Sequence, residues 1–373
     1  MEQNIIWNDG KMTGLDQWIS SKGIKNLLLV CDESLRFLTQ LDSYLKDKSS
    51  EINIVRFSDF QPNPLYESVV SGVDVFRKNC CDGILAVGGG SAMDVAKCIK
   101  LYSNTEGDGR DGSFLKNTIV PCDIPFMAVP TTAGTGSEAT RYAVVYYEGQ
   151  KQSIADYSCI PDDVFMDSNV LKTLPVYQKK STMMDAFCHA IESFWSVNST
   201  DESREYSKQA IRLVMDNREA YLANSEEGNK NMLIAANLAG KAINITQTTA
   251  GHAMCYKITS LFGVAHGHAA ILCDRVLYPW MLDNPDKCID KRGEAHLKKI
   301  LKEIADCLGC SNEREAADKI VSIFNRLELE VPTASEEQFA ILKTSVNPTR
   351  LKNHPVELSV ETIDELYHKI LNS

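Results

Sequence analysis

The chain has 373 residues, of which 44% are hydrophobic and 24% charged, and its formal net charge is −11. Length and composition predict a globular protein with room for two ordinary domains, and the negative charge argues against nucleic acid and anionic membrane surfaces as partners. No apolar run approaches the roughly 18 residues that span a bilayer and the first residues lack a signal-peptide pattern, so the 12 cysteines indicate reduced thiols in a cytoplasmic protein.

The first part of the chain alternates predicted strands with predicted helices. Residues 26–31 and 52–57 are apolar runs typical of buried strands. Each is followed by a stretch with helical periodicity, at about 34–45 and 66–76. This β-α-β alternation predicts a parallel sheet.

A further strand, 84–87, opens into three glycines that let the backbone turn sharply and approach a ligand closely. Ser91 is predicted to cap the following helix, with Asp94 as a capping-box variant. Such a helix N-terminus is an anion site suited to a dinucleotide pyrophosphate, although Met93 replaces the third Gly of G-x-G-x-x-G; the alternative is a tight turn without a ligand. The predicted cofactor-binding residues here are Gly88, Gly89, Gly90, Ser91 and Asp94.

A second loop, within 125–140, follows another apolar strand. Its hydroxyl groups can hydrogen-bond a phosphate, a ribose or a carboxamide. Gly/Ser/Thr loops are usually only turns, but two of them at the ends of successive core strands favour a ligand, because doubly wound sheets bind ligands at that edge. The predicted cofactor-binding residues of this loop are Thr131, Thr132, Thr135 and Ser137.

Beyond this loop, 142–156 alternates like a hairpin around Glu148 and Gly149, and 164–166 is predicted as a last strand. Helical periodicity dominates after residue 175. The sequence therefore predicts an α/β domain over 1–175 and an all-helical domain over 176–373.

Four residues of the second half form a candidate metal site. Asp185 and His189 are spaced i, i+4, which places both on one helix face. His252 and His266 lie fourteen residues apart, about four turns if the segment is one helix. One oxygen and three nitrogen donors suit a divalent transition metal with an open position for substrate. The alternative is a set of hydrogen-bonded core histidines.

These motifs together resemble the iron-containing (group III) alcohol dehydrogenases, kin to glycerol dehydrogenase and dehydroquinate synthase. The resemblance covers nearly the whole chain and appears in the family's order and spacing. It is carried by PNP at 62–64, GGGSAMD at 88–94, PTTAGTGSE at 130–138, MDAFCHAIE at 184–192, and the histidines of GHAM and AHGHA.

The resemblance implies a dinucleotide-binding α/β domain followed by a helical metal-binding domain, with metal and nicotinamide meeting between them. It implies Asp185, His189, His252 and His266 as ligands of a metal that the family mostly takes as Fe²⁺, although Zn²⁺, Co²⁺ and Mn²⁺ also suit this donor set. The expected chemistry is metal polarisation of an aldehyde carbonyl and hydride transfer from the nicotinamide.

The cofactor preference rests on Asp32, which follows the strand 26–31 where relatives place a residue beside the adenosine ribose. A carboxylate accepts a hydrogen bond from the 2′-OH and repels a 2′-phosphate. We therefore expect NAD(H) over NADP(H). The alternative is an Asp that only caps a helix before Ser34.

The chain departs from the family pattern at the position of a His often assigned to proton handling, where it carries Tyr256. An imidazole relay at that point is excluded. Water, Tyr256 or His268 could take over, so both residues are candidate catalytic groups. For Tyr256 the alternative is a packing role; His268 is not predicted as a further ligand, since i and i+2 face different ways on a helix.

Four cations are candidate substrate-binding residues. Singly each is expected to be a solvated surface charge, but together they suggest a pocket for an anionic substrate. The segments AGHAMCYKITSLFGVAHGHA and NPTRLKNHP resemble the phosphonoacetaldehyde reductase branch of the family. The candidates are Arg141, Lys257, Arg350 and Lys352.

The sequence therefore predicts an enzyme that reduces a small anionic aldehyde, such as phosphonoacetaldehyde, to the alcohol. A generic iron-dependent primary alcohol dehydrogenase is the main alternative. A dehydroquinate synthase-like lyase is disfavoured because Glu is expected as its first ligand in place of Asp185. A metallohydrolase would not need two dinucleotide loops, and a binding protein would not need an open metal site. The oligomeric state is left open, with a homodimer among the options.

Overall fold

The computed structural model describes residues 3–346 and 348–372. The chain packs as two compact units. The N-terminal unit comprises the residues up to Thr132 together with Gly136–Thr173, and the C-terminal unit comprises Ala133–Thr135 together with the residues from Leu174 onward. The assignment of Ala133–Thr135 to the C-terminal unit could not be read from the sequence.

The described strands of the N-terminal unit are β1 (Asn4–Trp7), β2 (Asn26–Cys31), β3 (Asn53–Phe57), β4 (Gly83–Gly88), β5 (Phe126–Pro130), β6 (Tyr142–Tyr147), β7 (Gln150–Ala155) and β8 (Asp163–Met166). Six of them form one parallel sheet in the order β1-β8-β5-β4-β2-β3. β2, β4 and β5 are central and almost wholly buried, as expected for parallel strands that are covered on both faces.

The predicted hairpin is confirmed as β6 and β7, which pair antiparallel from Tyr142↔Ala155 to Tyr147↔Gln150. Glu148 and Gly149 form the two-residue turn with φ values of 50° and 72°. Positive φ at both positions matches the twist of the two strands. β1 was not predicted, because four residues are too few for a periodicity signal, and it pairs only with β8 at the sheet edge.

Two local predictions about the first helices are wrong. The helix expected at 34–45 is a short 3-10 turn over Glu33–Phe37 followed by a helix over Thr39–Lys48, since Leu38 (φ −94°, ψ 62°) leaves the helical region between them. The helix after the glycines begins at Gly90, so Ser91 lies inside it and does not cap it. The helices of this unit are α1 (Thr13–Lys22), α2 (Thr39–Lys48), α3 (Tyr66–Lys78) and α4 (Gly90–Ser103).

The described part of the C-terminal unit is largely helical, which confirms the predicted fold class of an α/β part followed by a helical part. None of the described helices is long and apolar enough to cross a membrane. The helices are α5 (Val176–Trp195), α6 (Asp201–Leu222), α7 (Glu226–Thr246), α8 (Ala250–Phe262), α9 (His266–Asp283), α10 (Glu294–Cys307), α11 (Glu313–Arg326), α12 (Glu336–Thr344), α13 (Pro348–Leu351) and α14 (Val360–Ile370).

The segment that carries His252 and His266 is not one continuous helix. α8 ends at Phe262, where Gly263 (φ 69°) adopts the left-handed conformation of a helix C-cap. His266 is then the first residue of α9. In a single helix the two residues would be about 21 Å apart, since fourteen residues rise 1.5 Å each; the turn instead brings their rings to a centroid distance of 5.3 Å.

Candidate metal centre and dinucleotide loops

Three of the predicted metal ligands converge in the core of the C-terminal unit. The ligand atoms of Asp185, His189 and His252 all lie within 4.8 Å of one another, and all three side chains are buried. Asp185 Oδ1 is 3.4 Å from His252 Nε2 and 4.0 Å from His189 Nε2. An ion about 2.1 Å from each donor could contact both members of either pair.

The fourth predicted ligand, His266, lies beside this group on α9. Gly267 allows the approach, because a Cβ there would meet the Ser181 carbonyl oxygen and would lie 2.6 Å from Asp185 Cβ. The close packing of α9 against α5 at this glycine carries the His266 ring to the ring of His252. The tertiary fold thus unites a carboxylate and three imidazoles from three helices.

Glu192 orients His252 from the side opposite Asp185. This carboxylate is fully buried, contacts His252 Nδ1, and accepts hydrogen bonds from the backbone N–H of His252 (2.9 Å) and from the N–H and hydroxyl of Thr249 (2.6 Å each). Holding Nδ1 leaves Nε2 directed at Asp185, a common arrangement behind metal-bound histidines. Sequence reasoning missed Glu192, although its i+7 spacing from Asp185 places both on one face of α5.

The charges around the cluster favour a cation. Burial opposes ionisation of Asp185, but the neighbouring histidines outweigh it and hold its pKa well below the usual range. Burial likewise disfavours the His252 imidazolium, yet the charges of Glu192 and Asp185 raise the pKa of His252 to about 10. Burial lowers the pKa of His189 to about 4, so this ring is neutral and able to ligate at pH 7.

The donor set therefore fits a divalent transition metal. Two buried carboxylates, Asp185 and Glu192, create a field that retains a proton on His252, and a metal ion would take the place of that proton. One carboxylate oxygen and imidazole nitrogens are ligands that iron and zinc accept.

Tyr256 and Arg350 stand next to this cluster within the C-terminal unit. The Tyr256 ring stacks on His266 with centroids 5.2 Å apart and an interplanar angle of 23°. The Arg350 guanidinium lies 5.9 Å from the Tyr256 ring centroid and donates to Thr248 Oγ1 at 2.6 Å. Burial raises the pKa of Tyr256 to about 12, against the opposing charge of Arg350, so its hydroxyl stays protonated at neutral pH.

His268 has both ring nitrogens engaged elsewhere. It is buried, its Nε2 lies 2.9 Å from the Glu330 carbonyl oxygen, and its Nδ1 lies 3.1 Å from the Tyr177 hydroxyl. The same hydroxyl accepts the backbone N–H of Ala265. These are the hydrogen bonds of a neutral imidazole, and they link the start of α9 to Glu330 and Tyr177.

The other predicted cations are placed differently. Lys257 is half-buried on α8, next to Tyr256, whereas Lys352 is exposed. Arg141, in the N-terminal unit, is half-buried between the rings of Tyr142 and Tyr157, at 4.6 Å and 4.8 Å from their centroids.

In the N-terminal unit the two predicted cofactor loops lie side by side. The Thr131 N–H donates to the Gly88 carbonyl oxygen at 3.0 Å, and a Cβ on Gly89 would lie 3.3 Å from the Thr132 side chain. Gly88 has φ 156°, and a Cβ there would lie 2.6 Å from Ala92 Cβ, so a larger residue would disturb the start of α4. The loops therefore present backbone groups and Thr132 at the carboxyl ends of β4 and β5. Ser91, in the first turn of α4, and Thr135, which belongs to the C-terminal unit, are both half-buried.

Asp94 and Ser137 belong to a buried network beneath these loops. The Ser137 hydroxyl donates to Asp94 Oδ1 (3.1 Å) and accepts from Lys97 Nζ (3.0 Å), while Asp94 Oδ2 accepts the Val144 N–H. Lys97 also donates to Thr140 Oγ1 (3.1 Å) and to the Tyr142 carbonyl (2.8 Å). Burial raises the pKa of Asp94 to about 6, although Lys97 opposes the shift. These contacts give Asp94 and Ser137 a positioning role.

Asp32 combines both sequence interpretations. Its Oδ1 accepts the Ser34 N–H at 2.8 Å and so caps the turn after β2. Its Oδ2 would lie 3.2 Å from a Cβ on Gly88, which places this oxygen beside the glycine turn. Capping and proximity to the cofactor loop are therefore compatible.

Comparison with known proteins gives one family for the whole chain. The family model described as iron-containing alcohol dehydrogenase matches residues 2–168, and the model for the C-terminal domain of Fe-containing alcohol dehydrogenases matches residues 179–371. The 1,3-propanediol dehydrogenase of Klebsiella pneumoniae is 31% identical over 83% of this chain and 79% of its own length. The NADPH-dependent butanol dehydrogenase of Clostridium saccharobutylicum is 28% identical over 90% and 85%.

Among solved structures, the sulfoacetaldehyde reductase of Bifidobacterium kashiwanohense in complex with NAD⁺ is similar to this chain with a TM-score of 0.87. It is 27% identical and covers 99% of this chain and 96% of its own.

Proposed function

Because the chain belongs to the iron-containing alcohol dehydrogenase family, and is therefore an oxidoreductase that uses NAD(P) and a metal, we propose that it reduces a small aldehyde bearing an anionic group. Phosphonoacetaldehyde, which gives 2-hydroxyethylphosphonate, is the substrate we favour. The observation that carries this proposal is the position of Arg350 beside Tyr256, whose ring stacks on His266.

Asp185, His189, His252 and His266 would hold the metal. When bound, the metal supplies Lewis-acid polarisation of the carbonyl and the nicotinamide supplies the hydride. The protein's own task is to fix the aldehyde carbon in reach of the hydride and to keep water away.

Arg350 is suited to hold the anionic end of the substrate. Its guanidinium is already oriented by the hydrogen bond to Thr248, and it lies beside the ring of Tyr256, the residue next to the predicted metal ligands. Arginine binds phosphonate or sulfonate oxygens through a rigid fork of N–H donors. A charge-assisted bond of this kind contributes roughly 1.5–3 kcal/mol, which is about a ten- to hundredfold preference over a neutral aldehyde.

The reaction also consumes a proton, and we assign its delivery to the Tyr256 hydroxyl. This group retains its proton at neutral pH and stacks beside His266. His268 is a weaker candidate, since its two nitrogens are occupied by Glu330 and Tyr177.

The relatives support an anionic aldehyde without fixing which one. The sulfoacetaldehyde reductase, similar over nearly the full length, is named for a substrate with a sulfonate next to an aldehyde. Its complex with NAD⁺ agrees with the preference that Asp32 suggests. The 1,3-propanediol and butanol dehydrogenases are named for uncharged alcohols, so a generic alcohol dehydrogenase is the second candidate.

A kinetic series tests the proposal. We expect kcat/KM for phosphonoacetaldehyde to exceed that for propanal and lactaldehyde. Sulfoacetaldehyde is measured in the same series as a second anionic aldehyde. Arg350→Gln should lower the value for the anionic aldehydes by about ten- to hundredfold and leave propanal within about twofold. The control Lys298→Gln removes one charge at a site that is 62% exposed and should change neither class.

Equal turnover of neutral and anionic aldehydes, or equal slowing of all of them by Arg350→Gln, would leave a generic alcohol dehydrogenase. The same series with Arg141→Gln, Lys257→Gln and Lys352→Gln determines which further cations contribute. If no aldehyde consumes NADH in the metal-loaded protein, a lyase of the same fold becomes the better hypothesis.

A further inference from the structure

A buried thiol lies between two of the predicted metal ligands. Cys255 is on α8, three residues after His252, and its side chain is fully buried. Its Sγ lies 3.3 Å from the His252 carbonyl oxygen, to which the thiol donates, and 3.6 Å from His266 Nδ1. The thiol therefore contacts both the backbone of one ligand and the ring of another.

These contacts match one tautomer of His266. The thiol donates its single hydrogen to the His252 carbonyl oxygen, which can only accept it. With that hydrogen in place, the sulfur is an acceptor toward His266 Nδ1, and the matching tautomer carries its hydrogen on Nδ1. This is also the tautomer in which Nε2 can ligate a metal.

The same contact selects the orientation of the ring. Stacking on Tyr256 defines the plane of the His266 imidazole, but a 180° rotation about the Cβ–Cγ bond preserves that plane and replaces the ring nitrogens by carbons. Only a polar neighbour distinguishes the two orientations. Cys255 Sγ is such a neighbour at Nδ1.

We propose that Cys255 is a positioning residue that holds His266 in the Nδ1–H tautomer and in the orientation that presents Nε2 to the metal. The inference rests on the proposed assignment of His266 as a ligand. Cys255 then has the same role toward His266 that Glu192 has toward His252, namely contact with Nδ1. Because a thiol sulfur is a weaker acceptor than a carboxylate, His266 should be the more easily released of these two ligands.

Metal release tests the inference directly. Loss of a partner behind a metal-bound histidine typically lowers metal affinity by about 10- to 100-fold. With Co²⁺-loaded protein and an excess of chelator, Cys255→Ala should release the metal about 10- to 100-fold faster than wild type. Cys255→Ser, whose hydroxyl can donate and accept as the thiol does, should restore release to within about threefold.

Cys273→Ala is the matched control, because Cys273 is equally buried and lies on α9, the helix of His266. It should release Co²⁺ at the wild-type rate. If Cys255→Ala and Cys273→Ala behave alike, or if Cys255→Ser is as fast as Cys255→Ala, the inference is wrong.

A second measurement uses the metal-free protein. Long-range ¹H–¹⁵N spectra of histidine-labelled protein should show His266 as the Nδ1–H tautomer in wild type and Cys255→Ser, and a mixture of tautomers in Cys255→Ala. An unchanged tautomer in Cys255→Ala would also overturn the inference.

His266→Ala in the release assay separates this inference from the proposed function. If His266→Ala holds Co²⁺ as tightly as wild type, the proposed ligand set fails. If His266→Ala loses Co²⁺ while Cys255→Ala matches Cys273→Ala, the ligand set stands and the role of Cys255 does not.

Discussion

Both units bury charged side chains, but they do so in opposite ways. In the N-terminal unit the Lys97 network (Asp94, Lys97, Ser137 and Thr140) joins a cation to a carboxylate through the Ser137 hydroxyl, and Lys97 has three acceptors. In the C-terminal unit the Asp185 cluster (Asp185, His189, Glu192 and His252) holds two carboxylates and two imidazoles. The pKa of each carboxylate is lowered, the pKa of His189 is lowered and the pKa of His252 is raised.

The difference separates a structural network from a cation site. Asp94 and Lys97 share the Ser137 hydroxyl, so the network holds one negative and one positive charge and links α4 to Ser137 and Thr140. In the Asp185 cluster, negative charge exceeds positive charge once His189 is neutral, and the ligand atoms of Asp185, His189 and His252 lie within 4.8 Å of one another. A buried site of that kind is stabilised by a bound cation.

The largest effect should follow from removing the charge of Asp185. Asp185→Asn should reduce metal content to below about a tenth and turnover by more than about a thousandfold, since Lewis-acid catalysis contributes several kcal/mol. Metal analysis and kcat/KM measure both. Asp283→Asn, at a carboxylate that is 58% exposed on α9, should change neither. Full metal content in Asp185→Asn would remove the distinction between the two regions.

A stability effect is expected from the Lys97 network. Lys97→Met leaves the Asp94 carboxylate without its buried cation and should lower the free energy of unfolding by about 3–5 kcal/mol. The double variant Lys97→Met/Asp94→Asn should recover part of this loss, because the unpaired charge is gone. Denaturant unfolding measures both variants, and metal content should remain at the wild-type level. A loss below about 1 kcal/mol for Lys97→Met would show that the network is not structurally important.

The smallest effect concerns Asp32, at the edge of the cofactor loops. One of its carboxylate oxygens is already used by Ser34, and the other lies near Gly88. Asp32→Gly should shift the ratio of kcat/KM from NADH toward NADPH by about tenfold, the equivalent of 1.4 kcal/mol, because the repulsion of a 2′-phosphate is removed. Asp59→Gly is the control, because it removes the same charge after β3 and should leave the ratio unchanged. An unchanged ratio in Asp32→Gly would leave Asp32 with its capping role alone.

The sequence by itself determined the fold class and the family. Apolar runs such as 26–31 and 84–87 are local signals of buried parallel strands, and the structure has strands there. The i, i+4 pair of Asp185 and His189 is also local, since helix geometry alone places both on one face. The family, the alcohol dehydrogenase activity and the NAD(P) and metal requirement predicted from the motifs are confirmed.

Other predictions stay open. The domain boundary at 175, the roles of the individual site residues, the phosphonate substrate and the cytoplasmic location remain predictions.

Only the tertiary structure decided how the site is assembled. Gly263 ends α8 and Gly267 lets α9 approach α5, so His266 reaches the cluster across a turn and not along a helix. Ser91 is not the cap because α4 begins at Gly90, two residues before the start that a cap at Ser91 requires. Such outcomes depend on packing between distant segments, which no local propensity encodes.

The residues that contact the ring nitrogens of the predicted metal-binding histidines also became known only from the structure. Glu192 lies inside a recognised motif, and Cys255 lies next to another, but neither spacing reveals which nitrogen each one contacts. Likewise, the sequence offers four candidate cations, and it is the fold that places Arg350 beside the Tyr256 ring. A sequence specifies which donors and charges are present, whereas their distances and directions, which determine hydrogen bonding and metal ligation, arise only when the helices pack.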